Sequence, residues 1–182
     1  MLTHWNKLLN TDCTVMDIGP HTVYPIFRVG FTTLSRVCER KYVNEQIAKC
    51  QHIDVMIRDP EDRFVSGVNE YCRQNNLNVK ETWKLVEQDK LVDRHFAPQY
   101  LWLLHLYKFY KGAVTIRPFK YIENITSVHT HKSKTKTKIP LCMPFIEVDQ
   151  KLMKYVNQTV ALIDIIKRYK HVLSYARSLC ET

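Results

Sequence analysis

The sequence lacks several features that would assign it to a common class of protein. Its N-terminal stretch, MLTHWNKLLNTDCTVMD, has no uninterrupted apolar run of the signal-peptide kind, and no later stretch approaches the roughly 20 apolar residues that span a bilayer. The six cysteines are scattered, with no CxxC pair and no histidine at zinc-finger spacing. They indicate neither a metal site nor a disulfide framework. These absences predict a soluble, cytoplasmic protein without a membrane partner.

What the chain does contain is enough apolar sequence for one core and an excess of positive charge. Its 182 residues, 45% of them hydrophobic, predict a single domain over residues 1–182. The 27 lysines and arginines outnumber the 18 aspartates and glutamates and give a formal net charge of +9. This charge favours an anionic partner such as a nucleic acid, a phosphorylated cofactor or an acidic glycan.

Two strand–helix pairs predict an α/β fold. Residues 22–28, TVYPIFR, are typical of a strand, and a helix is expected at 32–41. Residues 53–58, IDVMIR, form the continuous apolar run of a strand that is buried on both faces. Asp59 and Pro60 then suit the cap and the first position of another helix. The pattern predicts a central parallel sheet flanked by helices, with ligands at the carboxyl ends of the strands.

The rest of the chain predicts further helices, one more strand and a basic loop. We expect helices at 80–89, 98–110 and about 149–169 (the last with an extension toward Leu179), a strand at 113–119, and a loop at 129–138. The loop, HTHKSKTKTK, is too polar and charged to form core.

The turn after the first strand has the composition of an anion-binding loop. It contains a permanent charge, a glycine that permits close backbone approach and two hydroxyls, in the order Arg28, Val29, Gly30, Phe31, Thr32, Thr33. Amide groups and the dipole at a helix start also attract anions. The loop is not a Walker loop, since GxxxxGK[ST] is absent. The alternative is an ordinary strand–helix turn capped by Thr32, with Arg28 in solvent.

A second pair of anion-binding candidates follows the second strand. Arg58 ends this strand, and Ser66 lies one or two turns into the next helix. Arg58 could bind a phosphate bidentately while the Ser66 hydroxyl donates to it. Alternatively, Arg58 pairs with a carboxylate and Ser66 lies on the helix surface. Two anion-binding groups at neighbouring strand ends favour one ligand with separated anionic groups.

Both stretches resemble motifs of the sulfotransferases that use 3'-phosphoadenosine 5'-phosphosulfate, especially the carbohydrate-modifying branch. The motif Pro-Lys-x-(Ala/Gly)-x-Thr-(Ser/Thr)-(Leu/Phe/Trp) is similar to FRVGFTTL at 27–34, and Arg-Asp-Pro-x-x-Arg-x-x-Ser is matched by RDPEDRFVS at 58–66. DRHFAPQ at 93–99 is similar to a downstream His-x-x-Pro-Gln segment, and HKSKTK at 131–136 is similar to a basic loop near the cofactor.

The resemblance implies a compact version of the fold of P-loop nucleotide kinases and a role for each matched residue. The loop from Arg28 to Thr33 would hold the 5'-phosphosulfate, and Arg58 with Ser66 would hold the 3'-phosphate. The activity implied is transfer of a sulfuryl group to a hydroxyl or amine of a small-molecule or glycan acceptor, without a metal, leaving 3',5'-ADP. Because Arg28 replaces the family's catalytic lysine, and arginine keeps its proton, its role would be electrostatic.

The general base and the class of function both have alternatives. His95 is the first candidate for the base, with His52 and Glu39 after it, since histidine titrates near neutral pH. A kinase-like nucleotide-binding protein would share the sheet and the anion loop, but the Walker lysine and a magnesium-binding set are absent from the sequence. A basic nucleic-acid-binding module is disfavoured because the basic residues are not interleaved with aromatic ones.

Overall fold

The computed structural model of the protein describes residues 10–87, 93–128 and 144–171. Its strands are β1 (Thr14–Ile18), β2 (His21–Tyr24), β3 (Arg40–Val43), β4 (Ile53–Ile57), β5 (Ala113–Pro118) and β6 (Thr159–Ala161). Its α-helices are α1 (Phe31–Val37), α2 (Pro60–Asn75), α3 (Val79–Glu87), α4 (Gln99–Phe109), α5 (Tyr121–Thr126), α6 (Pro144–Leu152) and α7 (Leu162–Arg168). Short 3₁₀ segments lie at Asn44–Lys49 and Met153–Tyr155.

The six strands form one mixed sheet in the order β3-β1-β2-β4-β5-β6, flanked by helices. The predicted α/β class is confirmed. The predicted parallel pairing holds for the three central strands β2, β4 and β5, whereas β1, β3 and β6 pair antiparallel. The β1–β2 hairpin reverses the chain between Ile18 and His21, where Gly19 has the left-handed φ of 54° that a tight turn needs.

Strand β4 and the start of the helix after it agree with the sequence prediction. All five residues of β4 are buried, as expected for a strand covered on both faces. The helix that follows begins at Pro60 and is capped by Asp59, whose Oδ1 accepts the Asp62 amide at 2.9 Å. It ends at Asn75 and is capped by Asn76, which has a left-handed φ of 53°. This corner between β4 and α2 is therefore built by local signals that the sequence displays.

Three predictions about the elements were too long or wrong. The first strand covers only His21–Tyr24, and α1 ends at Val37 because the following residues form β3. The continuous helix at 149–169 is wrong, since α6 and α7 are separated by β6. The break occurs at Asn157, whose backbone has a φ of 63° and donates to Ile116 O at 2.7 Å, which starts pairing with β5. Helical spacing on both sides of a three-residue strand resembles one helix.

The other element predictions are confirmed or fall outside the described ranges. The helices expected at 80–89 and 98–110 correspond to α3 and α4, and the strand expected at 113–119 corresponds to β5. The basic loop at 129–138 and the extension toward Leu179 lie outside the described residues. None of the helices in the described ranges has the length and apolar character needed to cross a membrane.

The cap at Asp59 gives a prediction about stability. Asp59→Ala removes the acceptor for the Asp62 amide, and we expect the free energy of unfolding to fall by about 1 kcal/mol, measured by urea denaturation. Asp59→Asn is the matched control, because it keeps an acceptor oxygen and should lose only a few tenths of a kcal/mol. Equal losses in the two variants would contradict a capping role.

Candidate functional site

A cleft of about 440 Å³ lies where β2 and β4 end. Its walls come from the loop between β2 and α1, the β4–α2 corner, the segment before α4 and the connection from β5 to α5. Parallel neighbouring strands present their carboxyl ends at the same edge of a sheet, so the topology brings these segments together. The predicted loop and Arg58 therefore lie at one cleft, whereas Ser66 is 5% exposed and is not among the lining residues.

The loop between β2 and α1 has an unusual backbone conformation. The Val29 amide donates to Ile26 O at 3.0 Å, and Arg28 adopts a left-handed φ of 63°. Gly30 has a φ of 76°, and a Cβ added there would lie 2.0 Å from Ile122 Cδ1. Glycine suits this position, because other residues rarely adopt this φ and their Cβ would displace the Ile122 side chain of α5.

The side chains of this loop divide between the cleft and the core. Arg28, Phe31, Thr32 and Thr33 line the cleft, as the sequence predicts for an anion-binding loop. Val29 instead is fully buried among core residues and anchors the loop. The first amides of α1 have no acceptor within the helix, as at any helix start. The loop thus offers the cleft a guanidinium and two hydroxyls.

The side chains of Arg28 and Ser66 are hydrogen-bonded to each other. Arg28 donates to Ser66 Oγ from Nε at 3.2 Å and from Nη2 at 2.8 Å, and its Nη1 lies 3.6 Å from Glu70 Oε2. Hydrogen bonds from Arg73 and Gln74 and the charge of Arg28 together outweigh the effect of burial and hold the pKa of Glu70 at about 2. Glu70 is therefore ionised at neutral pH. Arg28 thus has one neutral and one anionic partner on α2.

Arg58 is held more firmly than Arg28. It is 7% exposed, and its guanidinium lies 5.2 Å from the centre of the Phe119 ring. Burial lowers the pKa of Arg58. Its backbone is fixed on both sides by Gln99, whose Oε1 accepts the Arg58 amide and whose Nε2 donates to the Arg58 carbonyl, both at 2.9 Å. The Gln99 side chain therefore fixes the position of the β4–α2 corner.

His95, the first candidate for the base, also lines the cleft. It is 8% exposed, its ring meets Phe27 edge-on at 5.7 Å, and its Nδ1 lies 2.5 Å from Asp93 Oδ1. A Cβ added to Gly67 of α2 would lie 2.3 Å from the His95 carbonyl oxygen. The glycine beside Ser66 therefore lets the His95 segment pack directly on α2.

Two of the sequence's candidates lie elsewhere. His52 directly precedes β4, at the opposite end of this strand from the cleft, and its Nε2 lies 2.9 Å from Thr115 Oγ1. Glu39 accepts the Gly19 amide at 3.1 Å, beside the β1–β2 hairpin. Neither residue lines the cleft, so neither can serve as its base. The basic segment HKSKTK lies outside the described residues.

Sequence reasoning missed the buried polar groups that hold the cleft together. Arg63, 2% exposed, donates from Nε to Phe27 O at 3.1 Å and from Nη1 to Ala97 O. Asp149 accepts the Gln99 amide at 2.7 Å and the Tyr100 amide at 2.9 Å, which caps α4. Arg63 was visible only as the second arginine of the motif at 58–66, and Asp149 carried no sequence signal.

The formal charges around the cleft favour an anion. Arg28, Arg36 and Arg58 line it, against the single carboxylate of Glu70. Several fixed positive charges in a recess concentrate the field and attract anionic ligands. Within the described ranges, no group of three histidine, cysteine, aspartate or glutamate side chains is placed to hold a metal ion. The arginines thus give the cleft its positive charge.

Comparisons with protein-family models, with curated proteins and with solved structures each give no match for this chain. The interpretation of the cleft therefore depends on its own residues and geometry.

Asp149 gives a prediction about pH. Burial raises the pKa of Asp149 from an ordinary 3.8 to about 6, against the opposing charge of Arg63 and the amide donors. Since the folded state then holds the proton more tightly than the unfolded chain, the contribution of this group to stability is greatest below its ordinary pKa and is lost as pH rises through about 6. We expect the stability of the wild type relative to Asp149→Asn to fall between pH 3 and pH 7, the window that brackets these two values.

Urea denaturation across this pH range measures the effect. Asp164→Asn is the control, because Asp164 is exposed in the first turn of α7 and should show no such trend. A relative stability of the wild type that rises with pH would contradict the assignment.

Proposed function

We propose that the protein is a sulfotransferase. In this proposal it transfers a sulfuryl group from 3'-phosphoadenosine 5'-phosphosulfate to a hydroxyl or amine of a small-molecule or glycan acceptor. Its mixed sheet would be a compact version of the nucleotide-kinase-like fold of that family. The observation that carries the proposal is that Arg28, Thr32, Thr33 and Arg58 line one cleft, and that Arg28 is hydrogen-bonded to Ser66.

The residues present fit a donor with two separate anionic groups. Arg28, Thr32 and Thr33 line the cleft from the loop before α1 and the start of α1, and Arg58, which is 7% exposed, lines it from the end of β4. Ser66 Oγ accepts two hydrogen bonds from Arg28 and keeps its own hydrogen to donate. The volume of about 440 Å³ falls in the range of pockets that bind ligands of this size.

The chain's own groups supply the chemistry of transfer in this proposal. Negative charge grows on the phosphate oxygen that leaves when the sulfuryl group passes to the acceptor, and a cation that contacts that oxygen more strongly in the transition state lowers the barrier. Arg28 is the candidate for this role, because it lines the cleft and cannot act as an acid. His95 would accept the proton of the acceptor's hydroxyl, since it lines the same cleft.

Titration calorimetry with 3',5'-ADP tests the donor site. We expect binding of 3',5'-ADP, weakened about 10- to 100-fold by Arg58→Ala, as is typical when a charged hydrogen-bond partner is lost. Arg40→Ala is the matched control: it removes the same charge from an exposed arginine of β3, outside the cleft, and should change the affinity less than about twofold.

Two other outcomes would identify the alternative functions. Preference for ATP with magnesium over 3',5'-ADP would favour a kinase-like protein. Binding of a short DNA alone, with strong dependence on salt, would favour a nucleic-acid-binding module. Either outcome would overturn the sulfotransferase proposal.

Arg28 gives a separate prediction about turnover. Because its charge is needed most where negative charge develops, Arg28→Ala should lower transfer of labelled sulfate to acceptors more than it lowers affinity for 3',5'-ADP. Arg28→Lys is the matched variant, since it keeps a positive charge and restores the family's residue. Equal losses of transfer and affinity in Arg28→Ala would make Arg28 a binding residue only.

A further inference from the structure

The side chain of His95 has a carboxylate partner to which sequence reasoning gave no role. Asp93 Oδ1 lies 2.5 Å from His95 Nδ1 and also accepts the His95 backbone amide at 2.9 Å. One oxygen thus contacts both the ring and the backbone of the same residue. This pair of contacts fixes where the imidazole lies relative to its own main chain.

The ionisation of Asp93 decides which ring nitrogen carries the hydrogen. Burial would raise the pKa of Asp93, but the hydrogen bonds from the His95 ring and backbone, and the charges of His95 and Arg94, outweigh it and lower that pKa. An ionised carboxylate only accepts hydrogen bonds. Nδ1 must therefore carry a hydrogen whether the ring is neutral or charged, and Nε2 is the nitrogen that gains or loses a proton.

The ring is also held by its surroundings. The edge of Phe27 lies against it from the β2–α1 loop, with 5.7 Å between ring centres. The backbone of the segment rests on α2 at Gly67, where even a methyl group would overlap the His95 carbonyl. A ring fixed by a carboxylate, an aromatic edge and a close backbone contact has few orientations left.

We propose that Asp93 is a positioning residue for His95, holding the imidazole hydrogen on Nδ1 so that Nε2 is the proton-exchanging atom of the cleft. The catalytic part of this inference rests on the proposed function, whereas the placement of the hydrogen does not. In the transfer reaction, the acceptor O–H bond breaks, its proton moves to Nε2, and the acceptor oxygen forms the new bond to sulfur as the bond from sulfur to the phosphate oxygen breaks.

The charges around His95 explain why such a partner is useful. Arg28, Arg36 and Arg58 line the same cleft, and Arg94 adjoins His95 in sequence. A proton taken up at Nε2 adds a positive charge to this group, against which Glu70 is the only carboxylate among the cleft-lining residues. Asp93 contacts the ring directly and offsets that added charge, much as the aspartate of a catalytic triad does for its histidine.

Nitrogen-15 NMR of the histidine rings tests the inference without any substrate. Long-range correlations of ring nitrogens and carbon-bound hydrogens distinguish the two neutral tautomers, and His95→Gln identifies the His95 signals by their disappearance. We expect the wild type above neutral pH to carry the hydrogen on Nδ1. Asp93→Ala should move it to Nε2, whereas Asp164→Ala, which removes an exposed carboxylate of α7, should leave it on Nδ1.

The wild-type spectrum alone can overturn the proposal, even if Asp93→Ala fails to fold. A hydrogen on Nε2 of His95 in the wild type, or on Nδ1 in a folded Asp93→Ala, would exclude the positioning role. For the catalytic part, Asp93→Ala should slow transfer about 10-fold or more while affinity for 3',5'-ADP changes less than twofold. Absence of 3',5'-ADP binding in the wild type would instead overturn the proposed function and leave the tautomer result standing.

Discussion

The geometry of the cleft depends on the hydrogen bonds that the buried Arg63 guanidinium donates. From the first turns of α2, it donates to Phe27 O in the loop before α1 and to Ala97 O in the segment before α4. These are the two segments that carry Arg28 and His95. Burial lowers the pKa of Arg63 to about 10, so the side chain stays charged at neutral pH. One buried cation therefore links the loop that carries Arg28 to the segment that carries His95.

Keeping such a charge buried is costly, and the fold arranges a second charge to compensate. Asp149 is also buried, and its charge favours the charged form of Arg63. Asp149 accepts the Gln99 amide at the start of α4, and the Gln99 side chain is hydrogen-bonded to the backbone of Arg58. Buried ionic groups often add less stability than apolar residues of the same size, and in some proteins they specify one arrangement of the chain. Here that arrangement is the mutual position of the loops around the cleft.

The sequence predicted those parts of the structure whose causes are local. The β4–α2 corner was correct because Asp59, Pro60 and the apolar run before them are neighbours in the chain. The strands β1, β3 and β6 were missed because they are short and form only through partners elsewhere in the sheet. In the site, strand ends indicated Arg28 and Arg58. The hydrogen bonds of Arg63 to Phe27 and Ala97 join residues more than 30 positions apart in the sequence. A local sequence pattern therefore could not predict them.

The two principal arginines of the cleft are supported in opposite ways, and this difference bears on their roles. Arg58 is buried, and its backbone is fixed by Gln99. Binding a ligand would therefore cost little further side-chain entropy at Arg58. Arg28 has a third of its side chain exposed, a left-handed backbone and the partners Ser66 and Glu70. A side chain held by exchangeable partners on a strained loop can change contacts as charge moves, whereas a fixed one holds the ligand. This difference supports the proposed roles, with Arg58 in binding and Arg28 in the step in which charge develops.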